Sequence, residues 1–271
     1  LNELKYFPCT CPVCSGKDPK EISRLPKEEI QVFLAEHNLY VCTAELKRIK
    51  QAIKDGRLWE HLELRMHSHP ALLQALKKLE IYKDFIEENS PSVKKSGLFF
   101  FSSLGLVRPE IVRDRKKLVE RYSPPQKADI LVLLPQGQGK PLHKGKMFKE
   151  VKKILKQTFE EELDKLHICF YAAPFGVIPI ELNEIYPLSQ HEITFPLDKE
   201  TIEYVVNQIA QYVENTSYKA VILIHDPENW NNSVLKACKR VCRRKNIEFK
   251  HLILNKKDKA ILTSVKSLIE K

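Results

Sequence analysis

The chain has 271 residues, of which 43% are apolar and 30% are charged, and its formal net charge is +10 at pH 7. This composition excludes a disordered tail, and the absence of a run of about 18 apolar residues or of a secretory signal predicts a soluble, cytoplasmic protein with no membrane contact. The length allows two modest domains, and the basic balance suits a polyanion such as nucleic acid, the alternative being the Lys/Glu-rich surface of a heat-adapted protein.

Three thiols lie together near the beginning of the chain, in the spacing C-x-C-x2-C, at Cys9, Cys11 and Cys14. The other four cysteines are scattered, which does not fit the disulfide framework of a small secreted protein. A metal site is therefore the better interpretation. Two thiolates separated by two residues can hold one tetrahedral zinc ion, and a fourth nitrogen or sulfur ligand is then required.

The fourth ligand is expected on the helix that follows the thiols. The stretch PKEEIQVFLAEHNLY begins with Pro26, which suits a first helical turn, and it places His37 one turn beyond Phe33 on an apolar face. A histidine in such a position is also common as a core residue, and Cys42 is the competing ligand. If this histidine completes the set, no position remains for water, so the zinc would be structural rather than catalytic.

These residues carry a family resemblance over about residues 1–90. CTCPVC, followed by EHNLYVCTAELKRIKQAI, resembles the zinc subdomain and the next helix of the tRNA-guanine transglycosylases. The resemblance implies zinc ligands at Cys9, Cys11, Cys14 and His37. In that family the catalytic barrel precedes this knuckle, so base exchange is not assigned to these residues. Because the chain begins on Leu1 rather than on methionine, we expect a fragment or a processed chain.

Helical spacing continues over 44–56 and again over 71–88, where Asn89-Ser90-Pro91 ends it. An extended apolar piece and a short basic helix follow, up to the stop at Pro124-Pro125. We therefore predict three parts: a zinc-binding C-terminal region of a transglycosylase-like domain at 1–90, a basic connector at 91–125 and a parallel α/β domain at 126–271.

After Pro125, apolar runs of strand length alternate with helical patterns. The runs lie at 129–135, 167–174, 220–226 and 249–255, and the helical patterns at 146–165, 200–214, 231–245 and 258–269. Such alternation predicts an α/β fold with a doubly wound, mainly parallel sheet of four strands, covered by helices on both faces. Ligands of these sheets bind where the carboxyl ends of the strands lie, so the loops after the strands are the candidate site.

Three loops follow the predicted strands. The first, PQGQGKPLHKGKMFKEVKK, has glycines that let backbone amides approach a phosphate and lysines that supply charge, although a complete Walker sequence is missing and a solvated loop is the alternative. The second, at 173–193, is long and apolar, with polar groups for an amine or a nucleobase, or else it is a self-packed Ω-loop. The third, HDPENWNN, brings Asp226 to a strand end, where it could instead cap a helix.

Residues 108–122 and 174–192 resemble the archaeosine synthases, transglycosylase paralogues that add lysine to 7-cyano-7-deazaguanine in the D-loop of archaeal tRNA. The likeness extends over about 90–271 and implies the signature Pro-Cys-x3-Lys-Pro-Tyr-x2-Ser-x2-His, of which three positions match: Pro135, Lys140 and Pro141. The Cys, Tyr, Ser and His positions hold Gln136, Leu142, Gly145 and Phe148. Because a thiolate would attack the nitrile to form a thioimidate, Gln136 cannot serve as that nucleophile.

The candidate residues fall into three further groups. Catalytic candidates are Lys140, His143, Glu181 and Asp226. Candidates for substrate binding are Pro135, Pro141, Phe175, Tyr186, Ser189 and Gln190. Candidates for RNA binding, taken from three basic clusters at 108–121, 140–156 and 236–257, are Arg108, Arg113, Lys144, Lys146, Arg243 and Arg244.

Two hypotheses remain open. In the first, the chain is a lysine-adding enzyme of archaeosine biosynthesis or its C-terminal half. In the second, it is a non-catalytic tRNA-binding subunit that supports a separate transglycosylase chain or a radical enzyme. Under both, the expected partner is tRNA, and a second copy of the chain is a further candidate partner.

Overall fold

The structure is a computed structural model, which describes residues 1, 3–137 and 139–253, with 158–162 described by their backbone alone. It divides into two compact units, Leu1–Arg65 and Met66–Lys271. The predicted borders at 90 and 125 both fall inside the second unit, and the three-part division stays a prediction. None of the helices in the described part of the chain combines the length and the apolar composition that crossing a bilayer requires.

The first unit is helical. Helix α1 spans Pro19–Ile22 and begins at Asp18, whose side chain accepts a hydrogen bond from the amide of Lys20. Helix α2 spans Lys27–Lys54 and α3 spans Leu58–Met66. The two helical stretches predicted around His37 and over 44–56 are thus one helix of 28 residues. It buries Phe33 against Ile22 and Cys14, which form the small apolar core of this unit.

The second unit opens with short helices, α4 (Pro70–Lys78) and α5 (Lys83–Glu88), separated by a 3₁₀ turn. The single helix predicted over 71–88 is therefore wrong in its continuity. Strand β1 (Leu98–Phe100) and helix α6 (Pro109–Glu120) follow. Helix α6 begins at a proline, whose missing amide hydrogen costs nothing in a first helical turn.

The remaining strands are β2 (Ile130–Pro135), β3 (Leu166–Ala172), β4 (Gly176–Pro179), β5 (His191–Ile193), β6 (Ala220–His225) and β7 (Glu248–Ile253). The main sheet has the order β4-β3-β2-β6-β7, and its last four strands are parallel as predicted. The prediction of four strands and an irregular 173–193 loop is wrong, because β4 adds an antiparallel edge and β5 pairs with β1 in a second, two-stranded sheet. The tight reversal before β4 uses Gly176 at φ +82.

Helices cover both faces of the main sheet. Helix α7 (Lys146–Phe159) packs on one face, where its Val151 and Leu155 meet Val132 of β2. Helices α8 (Lys199–Asn215) and α10 (Ser233–Lys245) pack on the other, and the short α9 (Pro227–Trp230) precedes α10. The doubly wound α/β fold is thus confirmed. The predicted helix at 258–269 and the last two residues of the fourth predicted strand lie outside the described residues.

Candidate metal centre and sheet-edge site

The first candidate site is a cluster of four potential metal ligands in the first unit. The ligand atoms of Cys9, Cys11, Cys14 and His37 all lie within 4.8 Å of one another. The Nδ1 atom of His37 is 3.2 Å from Sγ of Cys14 and 3.6 Å from Sγ of Cys11. Three sulfurs and one imidazole nitrogen converging on one point are the donor set of a closed tetrahedral zinc site, so these residues fit such an ion.

Local structure explains why these four groups meet. The amides of Cys14 and Ser15 donate to the carbonyl of Cys11 at 3.1 and 2.9 Å, which folds the thiol segment into a knuckle. Helix α2 turns His37 toward it from one turn beyond Phe33, whose ring lies 5.5 Å from that of Phe7. The competing ligand Cys42 is exposed, further along the same helix, and is not part of the cluster.

The second candidate site lies at the carboxyl edge of the main sheet, where Lys140 follows β2 and His191 opens β5. The Nζ atom of Lys140 donates to Nε2 of His191 at 2.6 Å. Burial lowers the pKa of Lys140 to about 7, and burial together with the charge of Lys140 lowers the pKa of His191 to about 3. Only 2% of His191 is exposed, and its ring lies edge-on to Phe175 at 4.9 Å. The imidazole is therefore neutral and accepts from the amine.

The positions that depart from the archaeosine synthase signature have structural roles here. Gln136 accepts a hydrogen bond on Oε1 from the amide of Ala173 at 3.2 Å, which links the loops after β2 and β3. Leu142 and Phe148 are 2% and 3% exposed and belong to the apolar core. The ring of Phe148 lies 5.5 Å from that of Phe170 in β3. Two of the altered positions thus stabilise the packing of α7 on the sheet.

His143 is held in the same loop by the segment after β4. Its Nδ1 lies 3.0 Å from Oδ1 of Asn183, and its Nε2 lies 3.3 Å from a carboxylate oxygen of Glu184. Asn183 is buried and also donates to the carbonyl of Ile180 at 2.6 Å. The sequence predicts His191 as one of the polar groups of the second loop that could bind an amine or a nucleobase, but neither its contact with Lys140 nor the role of Asn183, because both residues reach the first loop only through tertiary packing.

Two of the catalytic candidates do not join this site. Glu181 lies at the opposite, amino-terminal edge, because antiparallel β4 carries the chain back; its carboxylate is 3.4 Å from Nε2 of His167 and accepts from the hydroxyl of Tyr122 at 3.2 Å. Asp226 follows β6 at the carboxyl edge, but its Oδ1 accepts from the amide of Glu228 at 3.1 Å, so it caps α9. The capping alternative is therefore confirmed for Asp226.

The substrate-binding candidates are distributed between interior and surface. Pro135 and Phe175 are buried, so they shape the sheet edge from below rather than face a ligand. Tyr186 and Pro141 are half-buried, and the hydroxyl of Ser189 donates to the carbonyl of Ile185 at 3.3 Å. The side chain of Gln190 is exposed. The main-chain carbonyl of Gln190 accepts a hydrogen bond from the main-chain amide of Leu98 at 2.8 Å.

The two arginines of α6 and its N-cap that are candidates for RNA binding are engaged within the protein. Arg108 is only 1% exposed and donates to the carbonyl of Phe99 at 2.7 Å, so its assignment to RNA binding is wrong. The guanidinium of Arg113 donates to a carboxylate oxygen of Glu87 at 2.7 Å and to the carbonyl of Pro91 at 2.9 Å. The contacts of Arg113 hold α6 against the end of α5 and the segment that follows it.

The exposed basic residues do not form one surface. Lys144 and Lys146 lie exposed at the beginning of α7, on one face of the sheet and near its carboxyl edge. Arg243 and Arg244 are exposed in the last turn of α10, on the other face and near the amino edge, and Arg244 forms an ion pair with Glu214. One short phosphate track cannot reach both groups.

The chain is similar to known proteins over both units. A family model described as "Queuine tRNA-ribosyltransferase" matches residues 2–71, and one described as "Domain of unknown function (DUF5591)" matches residues 111–270. A tRNA-guanine(15) transglycosylase of Saccharolobus solfataricus is 36% identical over 228 residues, covering 83% of this chain and 44% of the relative. Another, of Methanocaldococcus jannaschii, is 39% identical over 217 residues, covering 79% of this chain and 30% of the relative.

The chain thus spans less than half the length of these curated relatives. Among solved structures, that of AF0587, described as a protein of unknown function, covers 57% of this chain at 17% identity. Its TM-score is 0.37.

Proposed function

Because the chain belongs to the family of archaeal tRNA-guanine transglycosylases and archaeosine synthases, we propose that it acts in the modification of a tRNA base. The reaction that we propose is the addition of lysine to 7-cyano-7-deazaguanine in the D-loop of tRNA. The observation that carries this proposal is the buried pair of Lys140 and His191 at the carboxyl edge of the sheet, in the loop that holds the altered family signature.

The chemistry of this edge supports the proposal. Addition of an amine to a nitrile needs neutral nitrogen bases that can give and take protons near neutral pH, and a desolvated amine hydrogen-bonded to an imidazole provides them. His143, anchored by Asn183, lies in the same loop. The half-buried Pro141, in the loop after β2, and the half-buried Tyr186, in the segment between β4 and β5, would contact the base.

The charge of α7 supports binding of tRNA. Its exposed side bears a row of lysines that begins near the candidate site, and a phosphate backbone bound along that row would bring a tRNA to the sheet edge. The exposed lysines of α7 are Lys146, Lys149, Lys152, Lys153 and Lys156. Its one acidic residue is Glu150.

We propose that the cluster of Cys9, Cys11, Cys14 and His37 holds a structural zinc ion. The closed donor set leaves no ligand position for a substrate or a water molecule, so the ion would hold the knuckle against α2 and take no part in the chemistry at the sheet edge. The small apolar core of this unit, formed around Phe33, is in keeping with a unit that depends on a metal for stability.

A second function is favoured by Gln136. The family's cysteine is replaced by an amide that is engaged with Ala173, which is what a non-catalytic member would tolerate. In that case the chain would bind tRNA on behalf of a separate transglycosylase chain or a radical enzyme.

One experiment separates the two functions. The purified chain is incubated with lysine and a tRNA carrying the cyano base, and the nucleosides are analysed by mass spectrometry; the first function predicts a gain equal to one lysine. A tRNA with an ordinary guanine in the same place is the control. No gain, with salt-sensitive tRNA binding retained, would select the non-catalytic function, and absence of both product and binding would refute the proposal.

A further inference from the structure

We propose that Lys140 is the covalent nucleophile of the sheet-edge site, and that its amine attacks the nitrile carbon of the substrate in place of a cysteine thiolate. This inference rests on the proposed function, because it assumes the cyano base as substrate. Lys140 is one of the positions that match the family signature. The role of nucleophile is open because Gln136 occupies the position of the signature's cysteine.

The amine of Lys140 is held in a fixed position. Nζ of Lys140 is fixed by its 2.6 Å hydrogen bond to Nε2 of His191. The imidazole is in turn held by the ring of Phe175 and by the pairing of β5 with β1, in which His191 is opposite Leu98. An amine that donates one hydrogen to a fixed acceptor has a restricted orientation, which is the condition for an attack at a defined carbon.

The protonation state of Lys140 also suits a nucleophile. In the described part of the chain, no carboxylate forms an ion pair with Lys140, and the ionisable group in contact with it is the neutral His191. Burial is the cause that lowers its pKa to about 7, so that about half of the amine is unprotonated at neutral pH. A lysine in this state is a nucleophile, whereas an exposed lysine is an ammonium.

No cysteine of the second unit offers a competing thiolate. The second unit has three cysteines, Cys169, Cys238 and Cys242, and all are buried. Burial raises the pKa of Cys238 to about 12 and that of Cys242 to about 11, and it raises the pKa of Cys169 well above its usual range. Buried thiols that remain protonated do not attack a nitrile. Lys140, by contrast, is a group at the carboxyl edge that can.

The reaction balances without an oxidant or a reductant. The amine of Lys140 adds to the nitrile carbon, a carbon–nitrogen bond forms, one π bond of the nitrile breaks, and an amine proton passes to the nitrile nitrogen; the product is an amidine that joins protein and base. The amine of free lysine then adds to the same carbon. The bond to Lys140 breaks, and Lys140 leaves as a neutral amine with a proton taken from the incoming amine.

The first test needs no tRNA. Trace acetic anhydride labels each unprotonated amine of the folded chain, and peptide mapping gives the labelling of each lysine as a function of pH. We expect labelling of Lys140 to reach half its maximum near pH 7. If Lys140 reaches half-maximal labelling only near the ordinary lysine value of about 10.4, the inference is overturned.

The second test traps the intermediate. The chain is incubated with tRNA carrying the cyano base, without lysine, and an amidine cross-link is sought on a denaturing gel and located by peptide mapping. We expect the cross-link at Lys140, its release when lysine is added, and its loss in Lys140→Gln and Lys140→Met. Lys199→Gln, on an exposed side chain at the beginning of α8, is the matched control.

The outcomes separate this inference from the proposed function. Formation of the lysine adduct by Lys140→Gln would overturn the nucleophile and leave the proposed function intact. A cross-link that maps to another residue would do the same. Failure of the wild-type chain to bind or modify the tRNA, with Lys140 labelling near pH 7, would refute the proposed function and with it the role of Lys140 toward a nitrile.

Discussion

Helix α7 offers the most direct test of how this chain would bind tRNA. Three of its exposed lysines follow one another at helical spacing on one side: Lys149, Lys153 and Lys156. Replacing all three by glutamine removes three charges and keeps the helix, since lysine and glutamine have similar helix propensities. The matched control makes the same change at the same spacing on α10, which covers the other face of the sheet: Lys236, Arg240 and Arg243.

The magnitude follows from counterion release. Each lysine that neutralises a phosphate contributes about 0.7–0.9 to the slope of log affinity against log salt, so three such contacts contribute roughly 2–3. Between about 50 and about 200 mM salt, the affinity of the wild-type chain should therefore fall roughly 20- to 40-fold more than that of the α7 variant. The control should keep the wild-type slope, because its charges lie across the sheet from the candidate site.

Fluorescence anisotropy with labelled tRNA at several salt concentrations measures both slopes. Circular dichroism of each variant checks that the helices are retained. Equal slopes for the wild-type chain and the α7 variant would refute the assignment of α7 to the phosphate backbone. A loss confined to the control would move the tRNA to the other face of the sheet.

Three further predictions concern stability and metal binding. His37→Ala should lose most of the bound zinc measured by elemental analysis, since three thiolates alone leave the tetrahedral site open, whereas Cys42→Ser should keep it; zinc retained by His37→Ala would contradict the ligand set. Lys245→Met should lower the free energy of unfolding by about 1–2 kcal/mol in urea titrations, because Nζ of Lys245 donates to three carbonyls at the end of α8. The control Lys239→Met, on an exposed side chain, should leave the free energy of unfolding nearly unchanged. Burial raises the pKa of Asp114 from 3.8 to about 7, so the folded state binds this proton more tightly than the unfolded state does. The free energy of unfolding should therefore fall as pH rises between these two values. Asp114→Asn should flatten this fall in urea titrations at several pH values, and an unchanged pH profile would contradict the burial of this carboxyl.

Much of the fold follows from the sequence alone. The four parallel strands could be predicted because runs such as DILVLLP are apolar on both sides, which is typical of strands covered by helices on both faces. The metal cluster could be predicted because its thiol spacing and its helical histidine are local features. In both cases the signal lies within a few turns of the chain.

The parts that could not be predicted depend on long-range contacts. Strand β4 is only four residues long, and its apolar sequence does not differ from that of a packed loop. Lys140 and His191 are 51 residues apart and meet because β5 pairs with β1. The basic clusters were separable only once α7 and α10 were known to cover opposite faces, which the order of strands determines.

The path of segment 173–193 has a mechanical consequence. It leaves the carboxyl edge after β3, runs back along β4 to Glu181 at the amino edge, and returns to His191 at the carboxyl edge. Lifting it would break the pairing of β4 with β3 and that of β5 with β1, so it cannot swing as a hinged flap. Any opening of this segment must therefore break the hydrogen bonds of both strand pairs.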